Sequence, residues 1–97
     1  MTDIERTVTR LIAHSDGAKA MSLTATVTGS RDWASALFTG VRLTIELTAE
    51  EGEPFEHWLA ALPEAEFPMR RRFVADAEIV ERRAGVAVVE MLVIEIG

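Results

Sequence analysis

Residues Val86 to Ile96 form a run of eleven residues in which only Glu90 and Glu95 are charged. In an extended strand successive side chains point to opposite faces. Val86, Val88, Leu92, Ile94 and Ile96 therefore share one side, and Ala87, Val89, Met91 and Val93 share the other. Both sides are apolar, and a strand of that kind wants cover on both faces. A single sheet with helices on one side covers only one. A second molecule over the other side is the expectation, which makes self-association through Val86 to Ile96, as a homodimer or a larger ring, the first constraint on the fold. The same two glutamates interrupt the run well short of the roughly 18 to 20 apolar residues of a membrane-spanning helix, so no membrane partner is expected.

The rest of the chain supplies the sheet and the helices. Thr2 with Glu5 three residues on is a capping-box pattern, and Ile4, Val8, Leu11 and Ile12 fall on one helical face before Asp16 and Gly17 end the helix. From Ala20 to Thr28 the period becomes two, with Met21, Leu23, Ala25 and Val27 on one side of a half-buried strand. Gly29 to Asp32 read as a connection, with Trp33 and Ala34 assigned to neither element. Leu37, Thr39, Val41, Leu43, Ile45 and Leu47 then alternate with Phe38, Gly40, Arg42, Thr44, Glu46 and Thr48 in a second strand. Pro54 suits a first helical position behind Glu50, Glu51 and Glu53, and Phe55, Trp58, Leu59 and Leu62 give an amphipathic helix over 54 to 62. Pro63 and Pro68 bracket a linker. A third strand over about 71 to 82 points Phe73, Ala75, Ala77 and Ile79 inward, and Arg83, Ala84 and Gly85 turn into the final strand. The reading is one α+β domain over residues 1–97. It has a four-stranded, mainly antiparallel sheet, the order helix-strand-strand-helix-strand-strand, and helices on one face. Strands one and two pair, as do three and four, while the junction of the two halves is left open.

Composition narrows the chemistry. Ten basic against sixteen acidic residues leave a net charge of −6, the reverse of the positive surface that phosphate neutralisation requires, so nucleic acid is not an expected partner. Zero cysteines exclude disulfides, thiolate metal sites and cysteine nucleophiles. The opening Met1 to Arg6 lacks the basic and apolar pattern of a secretory signal, and a cytoplasmic location is the expectation. Nine arginines to the single Lys19, with abundant alanine, suggest a GC-rich bacterial source.

Arg70, Arg71 and Arg72 are the most conspicuous cluster. On an extended strand Arg70 and Arg72 share a side and could grip a phosphate or carboxylate in bidentate fashion. The plainer reading pairs them with Glu64, Glu66 or the acidic helix. His57 stands one turn from Glu53, a spacing that could serve a divalent ion, yet a metal needs three or four convergent ligands and no metal or other cofactor is expected. His57 suits proton transfer, but no nucleophile accompanies it. Trp33, beside Arg31 and Asp32, is the better candidate for an exposed aromatic contact, Trp58 being on the apolar helix stripe. Asp76 and Glu78 share a face without the aromatic platform of a sugar cleft. Phosphate loops and serine elbows are absent from the sequence.

The resulting expectation is a small cytoplasmic homo-oligomeric binding or interaction module without catalytic activity, taking a protein or a small anionic ligand. Arg70, Arg72, His57 and Trp33 are its candidate ligand-binding residues. The alternative is a small enzyme or ligand-binding protein with a site between subunits, where Arg70 or Arg72 holds an anionic group, His57 moves protons and Asp76 or Glu78 orients a polar group. A subunit of a larger assembly, such as a phage or secretion particle, is a third class.

Overall fold

The computed structural model describes residues 1–96 and shows an α+β fold. Helix α1 (Asp3–Ala13) is followed by β1 (Thr24–Ala34), β2 (Thr39–Thr48), α2 (Glu53–Ala61), a 3-10 turn (Leu62–Glu64), β3 (Arg72–Arg83) and β4 (Val86–Glu95). The four strands make one antiparallel sheet in the order β1-β2-β4-β3. The two hairpins read from the sequence are present, and they join through β2 and β4. The strand that is apolar on both faces therefore lies inside the sheet, hydrogen-bonded along both of its edges.

The capping box at Thr2 forms as the spacing predicts. The Thr2 hydroxyl accepts from the Glu5 N–H at 3.2 Å, and the Thr2 N–H donates back to the Glu5 carboxylate at 3.1 Å. Val8 and Ile12 of α1 and Phe55 and Leu59 of α2 are buried against Leu43, Ile45 and Leu47 of β2 and Ala87, Val89, Met91 and Val93 of β4. Both helices cover this one inner face. Burying a side chain of this size is worth about 1.5 to 3 kcal/mol, so this layer supplies most of the apolar stabilisation.

Three local expectations change. Residues after α1 do not enter a strand at Ala20. The Met21 N–H bonds the Gly17 carbonyl and the Leu23 N–H bonds the Ala18 carbonyl, so a run of turns carries Met21 and Leu23 into the core and β1 begins at Thr24. The segment 29 to 32 is strand rather than connection. β1 absorbs an extra residue between Val27 and Gly29 and continues to Ala34, and the turn to β2 falls at residues 35–38. In β3 the extra residues lie between Val74 and Asp76 and between Ile79 and Glu81. Each bulge places two residues opposite one and resets the inside–outside phase. Val74, Ala77, Ile79 and Arg82 consequently take the register of the inner face, while Phe73 falls on the outer face and is 40% exposed.

The outer face bears no helix. Even there Leu92 and Ile94 are buried at 8% and 3% exposure within the single chain, whereas Val86 and Val88 are half-buried. Gly40 of β2 makes room for this packing, since a Cβ on it would run into the Val93 carbonyl oxygen and come within 3.2 Å of the Ile94 side chain.

Candidate functional site

On the helical side, the end of α1, the turns that follow it, α2 and the segment 62–68 surround an open cleft of about 1000 Å³. Leu11, Met21, Pro54, Trp58, Leu62 and Phe67 give it apolar walls. His14, Asp16, Glu53, His57 and Glu66 supply its polar groups. Both histidines of the chain therefore meet at one concavity, although 43 positions separate them in sequence.

The walls are held by a specific contact. The Trp58 indole N–H donates to the Ser15 hydroxyl oxygen at 2.9 Å, and that hydroxyl donates onward to the Ile12 carbonyl at 2.6 Å. The chain of bonds clips the middle of α2 to the end of α1 and satisfies the indole, which a half-buried tryptophan needs. It also settles what Ser15 can do. Its hydrogen is spent on a main-chain carbonyl, so the hydroxyl is not presented to His14 or His57 as a nucleophile. Among the described residues no group of three or more His, Asp or Glu side chains is arranged to hold a metal ion. What the cleft offers is apolar area with imidazoles and carboxylates to orient a bound group.

The four residues singled out from sequence are not brought together. His57 lines the cleft with Glu53 one turn before it, while Glu56 on the neighbouring face turns to Arg82. Arg70 and Arg71 are exposed and lie in a turn, Arg71 at φ 59°, and the strand starts only at Arg72. The shared side expected of Arg70 and Arg72 depended on extended backbone and does not apply. Arg72 pairs with Asp3 at 3.0 Å and Glu95 at 3.8 Å, tying β3 to the start of α1 and to β4. Its partners differ from the Glu64 and Glu66 expected. Trp33 is half-buried on the outer face opposite Gly40, across the sheet from Arg72.

The acidic run before α2 meets a different arginine. Arg82 bonds Glu51 at 2.9 Å and Glu56, donates to the Val86 carbonyl at 3.0 Å and stacks 4.8 Å above the Phe55 ring. The Arg82 guanidinium, followed by the Gly85 N–H, holds the Glu51 carboxyl below the ordinary carboxylate value. These contacts fix the start of α2 and hence the wall carrying Glu53 and His57.

Sequence reasoning considered His14 only as a possible metal ligand beside His57 and gave it no place in a ligand site, and it read Trp58 as core packing alone. The only signal available was that the two histidines are the sole ones in the chain; nothing local places them together. Compared with protein-family models, with curated proteins and with solved structures, the chain matches none.

Proposed function

We propose that the chain is a small, non-catalytic binding module that seats an organic ligand with an apolar body in the α1–α2 cleft and works as a self-associated assembly. The observation that carries the ligand reading is the cleft itself. Its volume of about 1000 Å³ lies at the upper end of the range of small-molecule sites, and apolar walls with a few convergent polar groups are what such sites use. His14 and His57 orient the ligand by donating or accepting hydrogen bonds, and Trp58 supplies a flat contact surface. Ser15, bonded on both sides, supports a binding role over a catalytic one. The net charge of −6 supports a ligand or protein partner rather than nucleic acid. A chain without cysteine fits a reducing compartment such as the bacterial cytoplasm.

A two-dimensional NMR titration of the labelled full chain with mixtures of small aromatic and aliphatic fragments tests this. Binding is expected to move the Trp58 indole N–H and the His14 and His57 ring signals while leaving the Trp33 indole in place. Fragments that shift only residues outside the cleft, or none that bind at millimolar concentration, would overturn it.

A further inference from the structure

On the helix-free face the register aligns side chains in rows across all four strands. Trp33, Gly40, Ile94 and Phe73 form the first row, and Arg31, Arg42, Leu92 and Asp76 the second. Gly29, Thr44, Glu90 and Glu78 form the third. The first row ends the sheet beside the β1–β2 turn, where Leu37 and Phe38 are 84% and 44% exposed, and beside Ile96 at 52%. Among the described residues, four of the six exposed large apolar side chains, Leu37, Phe38, Phe73 and Ile96, thus gather at one end of the sheet. An apolar patch of this kind on a small chain marks an interaction surface.

Through the first three rows the charges are divided by strand, with Glu46 on β2 in the row beyond. Arg31 and Arg42 sit directly opposite one another on β1 and β2, a like-charge pairing that destabilises a sheet. Among the described residues neither has a carboxylate within 4.0 Å. The carboxylates Asp76, Glu78 and Glu90 lie on the β3 and β4 side.

We propose that this face packs against the same face of a second copy, about a two-fold axis running along the strands between β2 and β4. The proposal rests on the self-association reading above and adds its geometry. That axis lays β1 of one copy over β3 of the other, and β2 over β4, with each row kept on itself. Trp33 meets the partner's Phe73 and Arg31 meets the partner's Asp76, while Ile94, already buried beside Gly40 of its own chain, forms the floor between them. Arg31 of one copy therefore falls on a carboxylate of the other, and Arg42 falls on Leu92 with the partner's Glu90 one row away, while apolar meets apolar in the first row. A two-fold axis across the strands would instead set the apolar end on the far, charged rows. Stacked sheets diverge by about 30°, which centres the contact on the first three rows. Three rows, about 20 Å of strand, across four strands about 4.8 Å apart present on the order of 400 Å² in plan, about half the roughly 800 Å² per partner of a standard interface and in the range of a weak dimer. Strand-to-strand addition is the poorer route, because both edge strands, β1 and β3, carry bulges.

The experiment is sedimentation analysis of the full chain with Arg31→Asp, Asp76→Arg and the double variant. Three strand spacings, about 14 Å, separate the two residues within one chain. That exceeds the screening length of about 8 Å at physiological salt, so coupling between them reports contact between copies. The wild type is expected as a dimer of about 21 kDa, twice the 10.7 kDa chain. Each single variant is expected to weaken it about tenfold or more and the double variant to restore it. Phe73→Asp is expected to leave a folded monomer. A wild-type monomer at about 100 μM, a concentration at which a dimer of about 10 μM dissociation constant is mostly formed, would end both the self-association reading and this geometry. A dimer unmoved by Phe73→Asp, or single losses that the double variant fails to restore, would overturn this geometry and leave self-association standing.

Discussion

Glu51 carries three roles with one carboxylate: it pairs with Arg82, accepts from the Gly85 N–H and anchors the approach to α2. The fold binds its ionised form better than the unfolded chain does, so its carboxyl lies below the ordinary value of 4.5. The stability this adds is complete above about pH 4.5 and is lost as pH falls through the lowered value. Glu51→Gln removes the effect. The melting-temperature gap between wild type and Glu51→Gln is therefore expected to be widest near neutral pH and to close in acid, which thermal melts across pH 3 to 7 would show. A gap that stays constant would mean that the carboxylate's charge is irrelevant. Gly40 makes a different argument, from space. Any Cβ there meets the Val93 carbonyl and the Ile94 backbone of the adjoining strand, neither of which is the yielding end of a side chain. Gly40→Ala is expected to cost about 1 to 3 kcal/mol, as overpacking does, read as a lowered urea midpoint with unchanged slope.

At the scale of elements, α1 is held at its start by the Thr2–Glu5 box and along its length by Val8 and Ile12. Thr2→Ala removes an acceptor for the Glu5 N–H and should cost about 1 kcal/mol, measured by chemical denaturation, with hydrogen exchange quickening in the first turn. Both helices and the two hairpins were legible because their signals are local: caps, a period near 3.6, a period of two, and Gly85 at φ 70° in the last turn. The bulges were not. A bulge adds one residue with no side-chain signature of its own, and Ala75 and Val80 fit an unbroken alternation as well as an interrupted one. Missing the first bulge of β3 put Phe73 on the wrong face, and missing the second hid the inward turn of Arg82. The cleft was illegible for another reason. It is built from Ser15 and Trp58, 43 positions apart, and no spacing rule relates the end of one helix to the middle of another. The arginine triplet drew attention by its density in sequence, while Arg82, inconspicuous there, makes the ion pairs that hold α2.

Across the whole molecule one sheet separates the two surfaces proposed for binding, the cleft on its helical side and the helix-free face behind it. A sheet with buried inner side chains is a stiff partition: Leu43, Ile45, Val89, Met91 and Val93 are at most 1% exposed, and interiors of this kind are close-packed. Sites that far apart without shared partners behave additively. Binding in the cleft and self-association are therefore expected to be separable. Ala61→Trp, which narrows the cleft from α2, should abolish the fragment-induced shifts at Trp58 and leave the sedimentation of the protein unchanged. Phe73→Asp should do the reverse, giving a monomer whose Trp58 still responds to the same fragments at the same concentrations. If the monomer lost its response, the cleft would depend on the second copy, and the sheet would have to transmit a change that its packing gives it no evident means to carry.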